Sequence, residues 1–315
     1  MRYFRNLGEQ ELAFPSDGVA IVGPNAQGKT NLLEAIYYLE TFRSFRGATS
    51  DQLTGFERDG FWVGGEVEAD RPEVDGVSVT AGYQRRGRRR KVTVDGDEPD
   101  RIGDAIGKLG AVVFSPSDVA IVNEGPDERR RFLNIVLSLN APGYLDALQR
   151  YRHVLSQRNA ALKANQPTEV VRAWDRALAE SGGAVMAGRH RWIERWGETF
   201  SRYYRSISGG RSASMTYDPR HPASEWSDEG IVEDLAGGIR DAWESDLRNR
   251  TTTVGPHRDE LTFVIEDDAE PLEVRRYGSG GHRRTAALAL RLVEAATIRS
   301  TRGREPMVLM DDVFA

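Results

Sequence analysis

The stretch GPNAQGKT, residues 23–30, constrains the chain more than any other. It matches the phosphate-loop pattern G-x-x-x-x-G-K-[ST], in which glycines turn backbone N–H groups inward and a helix N-terminus faces bound phosphates. The apolar run VAIV before it predicts a buried strand, and NLLEAIYYLE after it predicts a helix. This order of elements predicts that the chain binds a nucleoside triphosphate.

The chemistry of each loop position indicates which residues would hold ATP and Mg²⁺. Lys29 would reach the β- and γ-phosphate oxygens, and the Thr30 hydroxyl would take one position on Mg²⁺. The candidate nucleotide-binding residues are Gly23, Pro24, Asn25, Ala26, Gln27, Gly28, Lys29, Thr30 and Asn31.

The segment MVLMDDVFA, residues 307–315, has the pattern of a metal-holding strand. Four apolar residues predict a strand, at whose end Asp311 would hold Mg²⁺ together with Thr30. Asp312 would orient or deprotonate the attacking water. The candidate catalytic residues are therefore Lys29, Asp311 and Asp312. The alternative is an ordinary strand that ends in a solvated acidic turn.

A Ser-Gly-Gly turn, residues 279–281, opens the predicted helix that follows it. Backbone N–H groups of Gly280 and Gly281, with the Ser279 hydroxyl, could bind a second anion, although many helices begin with a capping serine. A phosphate loop, a serine-glycine helix start and a strand ending in acids follow one another in ABC-type ATPases. In those proteins the serine completes the partner's site, so the order predicts an ATP-sandwiched homodimer.

Hydrophobic periodicity predicts an α/β fold with an antiparallel meander, interrupted by a helical arm. Together with the order of motifs typical of ABC-type ATPases, this predicts an ABC-type P-loop ATPase head with a mixed sheet. FWVGGEVE, VSVTAGYQ and KVTVDG form the predicted meander. We predict a discontinuous head, 1–124 and 254–315, and a helical insertion, 125–253. Within the insertion, Gly182-Gly183 is a predicted weak point of a long helix, and residues 208–230 are predicted to be rich in loops.

Composition excludes several other classes. The chain has 315 residues, a formal charge of -5, no cysteine and five scattered histidines, which argues against disulfides, cysteine catalysis and a histidine metal site. It contains neither a membrane-spanning run nor the apolar core of a signal peptide. A soluble, cytoplasmic protein without membrane contact is expected.

Several basic and aromatic positions keep two interpretations open. QRRGRRRK, residues 84–91, is either a solvated hairpin turn or a DNA phosphate-binding patch, and the same choice applies to Arg129–Arg131. Arg43 and Arg46 are either surface residues or nucleotide contacts. Trp174, Trp192 and Trp196 are interpreted as core residues.

Longer segments resemble the RecF family of DNA replication and repair proteins, in the branch of ABC ATPases that includes the SMC proteins. The segments that carry the resemblance are FRNLGEQELAF (4–14), the phosphate loop, FRSFRG (42–47), FSPSDVAIVNEGPDERRRFLN (114–134), YRHVLSQRNAALK (151–163) and TTTVGPHRDELTF (251–263). The loop SGGHRR stands where the family usually has SQGQQR. The chain also ends where the family continues, so a C-terminal truncation is expected.

The resemblance implies an ATP-dependent protein of DNA replication, recombination, repair and the SOS response. Such proteins clamp DNA, including single-stranded regions at gaps and junctions, as an ATP-bound dimer with weak DNA-dependent ATPase activity. RecR and RecO are implied as partners, with RecA loaded indirectly. The resemblance also implies that Arg46 contacts the nucleotide and that Gly255–Asp259 lies near it. An alternative is a nucleotide-gated, SMC-like scaffold with little or no catalysis. The short insertion, without sustained heptads, argues against long SMC arms, and nothing in it suggests the membrane coupling of a transporter subunit.

Overall fold

The structure is a computed structural model, and it describes residues 1–68, 76–266 and 270–312. Contacts divide the chain into two compact units, called here the first unit (Met1–Pro116 and Ala295–Ala315) and the second unit (Ser117–Glu294). By these contacts, residues 254–294 belong to the same unit as the helical segment 125–253. The division into a head, 1–124 and 254–315, and an arm, 125–253, stays a prediction.

The helices of the described residues are α1 (Lys29–Thr41), α2 (Ser50–Leu53), α3 (Ile102–Ala105), α4 (Val119–Asn123), α5 (Pro126–Asn140), α6 (Tyr144–Lys163), α7 (Thr168–Arg172), α8 (Asp175–Ser208), α9 (Asp228–Asp241), α10 (Trp243–Asn249), α11 (Val274–Tyr277) and α12 (Gly280–Arg302). The strands are β1 (Gly60–Val67), β2 (Val77–Gln84), β3 (Arg89–Val94), β4 (Ala111–Phe114), β5 (Ser212–Asp218), β6 (Glu260–Glu266), β7 (Leu272–Glu273) and β8 (Met307–Met310). In the described parts of the chain, no helix combines the length and apolarity needed to cross a membrane.

The predicted antiparallel meander is confirmed in the first unit, where β2 pairs with β1 on one side and with β3 on the other. Alternate side chains of these strands point to one face and pack with residues of α1 in a single apolar core. Within it the rings of Phe4 and Phe61 meet edge to face at 5.2 Å, and Tyr38 lies 5.4 Å from Phe61. The meander therefore fixes α1, the helix that follows the phosphate loop.

β4 and β8 pair in parallel, with Ala111 opposite Met307 and Phe114 opposite Met310. Tyr37 of α1 shares a core cluster with this strand pair. The backbone N–H of Asp311 donates to the carbonyl of Phe114 at 2.9 Å, which extends the pairing by one residue. Because parallel strands end at the same edge of a sheet, Asp311 emerges at the carboxyl edge of this pair.

The prediction of a strand at VAIV, residues 19–22, is wrong for this structure. These residues form no strand, and Val19 and Val22 are 57% and 89% exposed. A strand exists only through hydrogen bonds to a neighbouring strand, and none of the sheets formed by the described residues includes this run. The loop that follows is consequently anchored by side chains and by α1.

One expectation for the helical segment is also wrong, and another holds only in part. α8 runs without a break through Gly182 and Gly183, and the interruption falls instead between α7 and α8. A Cβ at Gly182 would lie 2.8 Å from Leu235, and one at Gly183 would lie 2.7 Å from Val232, so the glycines let α9 approach closely. Residues 208–230, predicted to be rich in loops, are without helix or strand at 209–211 and 219–227, but they also contain β5, which pairs with β6 along its whole length.

The core of the second unit is built mainly from the faces of α5, α6, α8 and α9 and from the β5–β6 pair. Trp192 is buried in it, and Trp174 and Trp196 pack against it, which confirms their interpretation as core residues. Arg129, Arg158 and Arg189 are among the largest fully buried side chains of the described residues. Guanidinium groups buried to this extent require internal partners.

Arg158 shows how such partners are supplied. Its guanidinium donates to Asp175 at 2.8 Å, to Asp246 at 2.6 Å and to the hydroxyl of Thr252 at 2.8 Å. The side chains of Arg158 and Asp246 are both fully buried. This cluster, called here the Arg158 cluster, ties α6 to α8 and α10.

Candidate nucleotide site

The phosphate loop has the backbone conformation that its glycines allow. Gly28 has a φ of +102° and Ala26 a φ of +65°, and α1 begins directly afterwards at Lys29. A Cβ at Gly28 would lie 2.8 Å from the side chains of both Asn6 and Leu7. Glycine is therefore required at position 28 both for its left-handed backbone and for this close approach.

Lys29 lies across the loop rather than in solvent. Its ammonium group donates to the carbonyl of Gly23 at 2.8 Å and to that of Pro24 at 2.9 Å. Residues 23–27 are exposed, so the loop is open on the side away from α1. The cation is thus held at the mouth of an exposed anion-binding turn at a helix N-terminus.

The two candidate metal-binding residues meet, although 281 positions separate them in the sequence. The Thr30 hydroxyl donates to the Asp311 carboxylate at 2.7 Å. One hydroxyl and one carboxylate suit Mg²⁺, which keeps several waters and takes further oxygens from a bound phosphate. The described residues contain no cluster of three or more His, Cys, Asp or Glu that could hold a metal by itself, so this pair would share the ion with a nucleotide.

Asp312 occupies a different environment from Asp311. Its φ is +47°, which turns the chain at the strand end, and it is exposed, whereas Asp311 is half-buried. The two adjacent carboxylates are therefore separated by the backbone turn, and only Asp311 contacts Thr30.

A series of side-chain hydrogen bonds connects Arg46 to the phosphate loop. Arg46 donates to Asn31 at 3.1 Å, Asn31 donates to Asn6 at 2.6 Å, and Asn6 donates to the carbonyl of Ala26 at 3.5 Å. This series of hydrogen bonds links two of the predicted residues, Asn31 and Arg46, to the loop. It also reveals Asn6, which the sequence motifs did not indicate.

Glu34, one turn further along α1, gathers a second set of contacts. Its buried carboxylate accepts from Arg5 at 2.5 and 3.0 Å and from the Ser44 hydroxyl, and Arg46 lies 3.8 Å away. These contacts hold the segment 42–47 against α1. Arg43 is exposed at the surface, and its role in nucleotide binding stays a prediction.

The far end of α1 is anchored by Glu40. Its buried carboxylate accepts from the backbone N–H groups of Leu109 and Gly110 at 3.0 and 2.8 Å, and from Arg302 at 3.3 Å. Burial raises the pKa of Glu40 from 4.5 to about 7, although the Arg302 guanidinium and the two N–H groups oppose this. The anchor is therefore partly protonated near neutral pH.

We expect Glu40→Gln to remove one component of the pH dependence of stability. A carboxyl whose pKa is higher in the folded state stabilises fully below about pH 4.5 and loses that contribution as the pH rises through about 7. This rise in the pKa of Glu40 corresponds to roughly 3 kcal/mol in the free energy of unfolding. Denaturant unfolding between pH 4.5 and 7.5 should show this decline in the parent and in an exposed control, Glu9→Gln, but not in Glu40→Gln. An identical decline in all three proteins would contradict the assignment.

The Ser-Gly-Gly turn caps α12. The Ser279 hydroxyl accepts from the backbone N–H of His282 at 3.2 Å, and His282 Nδ1 accepts from the N–H of Ser279 at 3.3 Å. This reciprocal pair is a capping box in which histidine replaces the usual Glu or Gln. Ser279 and Gly280–Gly281 are exposed, so a capped helix start and an anion site remain compatible.

Gly255–Asp259 is bound into the second unit. His257 Nδ1 accepts from the Tyr151 hydroxyl at 2.5 Å, and its Nε2–H donates to the carbonyl of Thr252 at 3.0 Å. Burial lowers the pKa of His257 to about 4, so the ring is neutral at pH 7. Asp259 is buried and accepts from Tyr217. These contacts support packing, and proximity of this segment to a nucleotide stays a prediction.

The basic triplet Arg129–Arg131 does not form one exposed patch. Arg129 is buried and pairs with Glu260 at 2.6 and 2.9 Å, and Arg130 donates to the carbonyl of Asp259 at 2.6 Å. Arg131 is about half exposed. The interpretation as a patch that contacts DNA phosphates therefore fails for Arg129 and is weakened for Arg130.

A phosphate loop, a hydroxyl–carboxylate pair at the end of a parallel strand and a separate Ser-Gly-Gly helix start define the chain as an ABC-type ATPase head. The solved head domain of Smc from Pyrococcus furiosus has this fold, with a TM-score of 0.51 at 15% identity over 99% of this chain and 88% of that one. A family model described as "AAA domain, putative AbiEii toxin, Type IV TA system" matches residues 19–315.

The chain belongs to the RecF family. "DNA replication and repair protein RecF" of Synechococcus sp. (strain JA-2-3B'a(2-13)) is 37% identical to it, over 100% of this chain and 83% of the relative. RecF of Caldanaerobacter subterraneus subsp. tengcongensis is 33% identical, over 99% and 85%. The solved recombination mediator protein RecF-ATPrS in the RecFOR pathway superposes with a TM-score of 0.90 at 32% identity, over 100% and 84%.

Proposed function

We propose that this chain is an ATP- and Mg²⁺-binding DNA repair protein of the RecFOR pathway. A solved relative is described as RecF-ATP in that pathway, and the chain is 32% identical to it. The observation that carries the proposal is the 2.7 Å contact between Thr30 and Asp311. It joins the phosphate loop to the end of β8 in the arrangement that a nucleotide-bound Mg²⁺ requires.

The finer proposal concerns assembly. Ser279 would complete the nucleotide site of a second copy, so that ATP closes a homodimer that clamps DNA at gaps and single-strand/double-strand junctions. Slow hydrolysis would then release the clamp. RecR and RecO are the proposed partners, RecA is loaded indirectly, and a cytoplasmic location belongs to the same proposal.

A DNA titration with and without ATP tests this function. The chain should be titrated with Mg²⁺ against fluorescent duplex, single-stranded and gapped DNA. We expect ATP to raise the affinity for DNA, and most for the gapped substrate. DNA affinity that does not respond to ATP would contradict the clamp. ATP-dependent DNA binding without any ATP turnover would favour the alternative, a nucleotide-gated scaffold.

Ser279→Arg is expected to leave ATP binding by the monomer intact and to abolish ATP-driven dimers. The longer cation would occupy the space in which the partner's γ-phosphate is proposed to dock. The substitution also removes a helix cap, which costs about 1 kcal/mol. Ser227→Arg is the matched control, because Ser227 caps α9 by accepting from Gly230 at 3.1 Å. Sedimentation should show ATP-dependent dimers for the parent and the control only; equal dimerisation of Ser279→Arg would leave Ser279 as a cap alone.

A further inference from the structure

The outer face of the β1–β3 sheet carries a row of exposed residues. Arg2 pairs with Trp62 of β1 through hydrogen bonds of 2.6 and 2.9 Å, Trp62 lies opposite Gly82, and Gly82 lies opposite Lys91. Directly opposed residues point to the same face of a sheet. Arg2, Trp62 and Lys91 are exposed, whereas the neighbours of Trp62 in the strand, Phe61 and Val63, are buried. This row, from Arg2 to Lys91, is called here the outer row.

The Trp62 indole lies across the sheet surface on glycines. A Cβ at Gly64 would lie 2.5 Å from Cη2 and 2.7 Å from Cζ2 of the indole, and one at Gly82 would lie 3.7 Å from Cδ1. Any side chain at position 64 would therefore displace the ring. Trp62 nevertheless keeps 42% of its surface exposed. The sheet thus supports a large aromatic surface from below and leaves it open to solvent.

Positive charge flanks the indole on both sides. Arg2 lies on one side of it and Lys91 on the other, about 14 Å apart across three strand spacings. Two residues before Lys91 in β3, Arg89 lies opposite Gln84 on the same face of the sheet. Arg86 and Arg88 precede it in the exposed hairpin turn.

Nearby acidic groups reduce this positive charge, and one arginine points to the other face of the sheet. Lys91 forms a 2.6 Å ion pair with Glu98, with both side chains more than half exposed. Glu66 lies on the same face at the far end of β1, opposite Ser78. Arg90 points to the other face, where it donates to Ser50 at 2.6 Å. Exposed ion pairs of this kind are weak, so phosphates can compete for Lys91, and the positive charge remains concentrated around Trp62 and the hairpin turn.

We propose that the outer row binds a segment of single-stranded DNA, with one base stacked on Trp62 and the neighbouring phosphates near Arg2 and Lys91. Proteins that bind single strands combine aromatic platforms with basic tracks in this way. A base inside a duplex already has both faces stacked, so the indole favours an unpaired base. The inference rests on the proposed DNA-binding function and extends it, because it assigns the surface that would hold the single strand.

Trp62→Ala tests the stacking. With ATP and Mg²⁺, we expect about a tenfold or larger loss of affinity for oligo(dT), as is usual for the loss of one base–aromatic stack, and little change for a duplex of equal length. Trp62→Phe should keep most of the affinity, because a ring remains. Phe56→Ala is the matched control, since Phe56 is 90% exposed and lies outside the paired strands. It should bind oligo(dT) like the parent.

Intrinsic fluorescence gives a second readout. The chain has six tryptophans, and the five others fall in the second unit. Stacking on Trp62 should quench part of the parent's emission when oligo(dT) is added, and this part should vanish in Trp62→Phe although binding persists. Replacing Arg2 and Lys91 together by alanine should lower the salt dependence of oligo(dT) binding by about 0.7 per lost contact.

The outcomes separate this inference from the proposed function. If the parent binds no DNA, the proposed function fails. If the parent binds oligo(dT) and Trp62→Ala binds it equally well, the inference fails, and the indole only covers Gly64; a lower melting temperature of the variant would accompany that result. Equal losses for single-stranded and duplex DNA would also overturn it.

Discussion

Lys29→Ala is expected to abolish ATP binding and, with it, ATP-dependent retention on DNA. Lys29 is the cation at the mouth of the phosphate loop, and its ammonium group already lies 2.8 and 2.9 Å from two loop carbonyls. Hydrogen bonds to charged groups contribute about 1.5–3 kcal/mol each, so losing two such bonds to phosphates should weaken affinity at least about a hundredfold.

Calorimetry of ATP with Mg²⁺ measures this loss directly. Lys108→Ala is the matched control, because Lys108 is an exposed lysine of the same unit, and it should bind ATP like the parent. Near-normal affinity of Lys29→Ala would refute the assignment of the phosphate loop. Loss of affinity in both variants would indicate general damage to the first unit.

Asp312→Asn is expected to retain ATP and Mg²⁺ but to hydrolyse ATP about 10²–10⁴ times more slowly, the usual effect of removing a general base. The amide can still accept a hydrogen bond from water, but it cannot take a proton. In the proposed clamp, dimer formation needs only bound ATP, so we expect the variant to accumulate as a long-lived dimer on DNA. The exposure of Asp312 beyond the strand turn suits this role.

Asp311→Asn should behave differently, because Asp311 contacts Thr30 at 2.7 Å. We expect weaker Mg²⁺-dependent ATP binding and few dimers. Single-turnover hydrolysis, calorimetry and sedimentation distinguish the two variants, with exposed Asp100→Asn as the control. The roles are wrongly assigned if Asp311→Asn is the variant that traps the dimer, or if Asp312→Asn hydrolyses ATP at the parental rate.

Local patterns predicted the parts of the site that depend on local geometry. The phosphate loop, the start of α1 and the strand that ends at Asp311 follow from residue types at fixed spacing. The supporting residues could not be found in this way. Asn6 lies 25 positions from its partner Asn31, and Arg5 lies 29 positions from Glu34. Only the packing of the N-terminal segment on α1 brings these groups together.

The failed fold predictions have physical causes of two kinds. VAIV has the composition of a strand but no described partner strand, so apolarity alone did not determine its structure. β5 could have been recognised, because Ala213, Met215 and Tyr217 alternate and are buried, a period-two signal that the surrounding loop residues obscured. The sequence left Arg129 open to interpretation as a solvated or a DNA-contacting charge, because its partner Glu260 is 131 positions away.

The Arg158 cluster has a consequence for engineering the protein. Removing a single partner from a buried ion pair leaves an uncompensated charge and typically costs 3–5 kcal/mol, whereas replacing the whole set with well-packed apolar residues is often neutral or stabilising. Arg158, Asp175 and Asp246 are therefore poor targets for single substitutions and a good target for joint redesign. A more heat-resistant version of the second unit would be sought by exchanging these side chains together with Thr252, because any library that varies them one at a time passes through unstable intermediates.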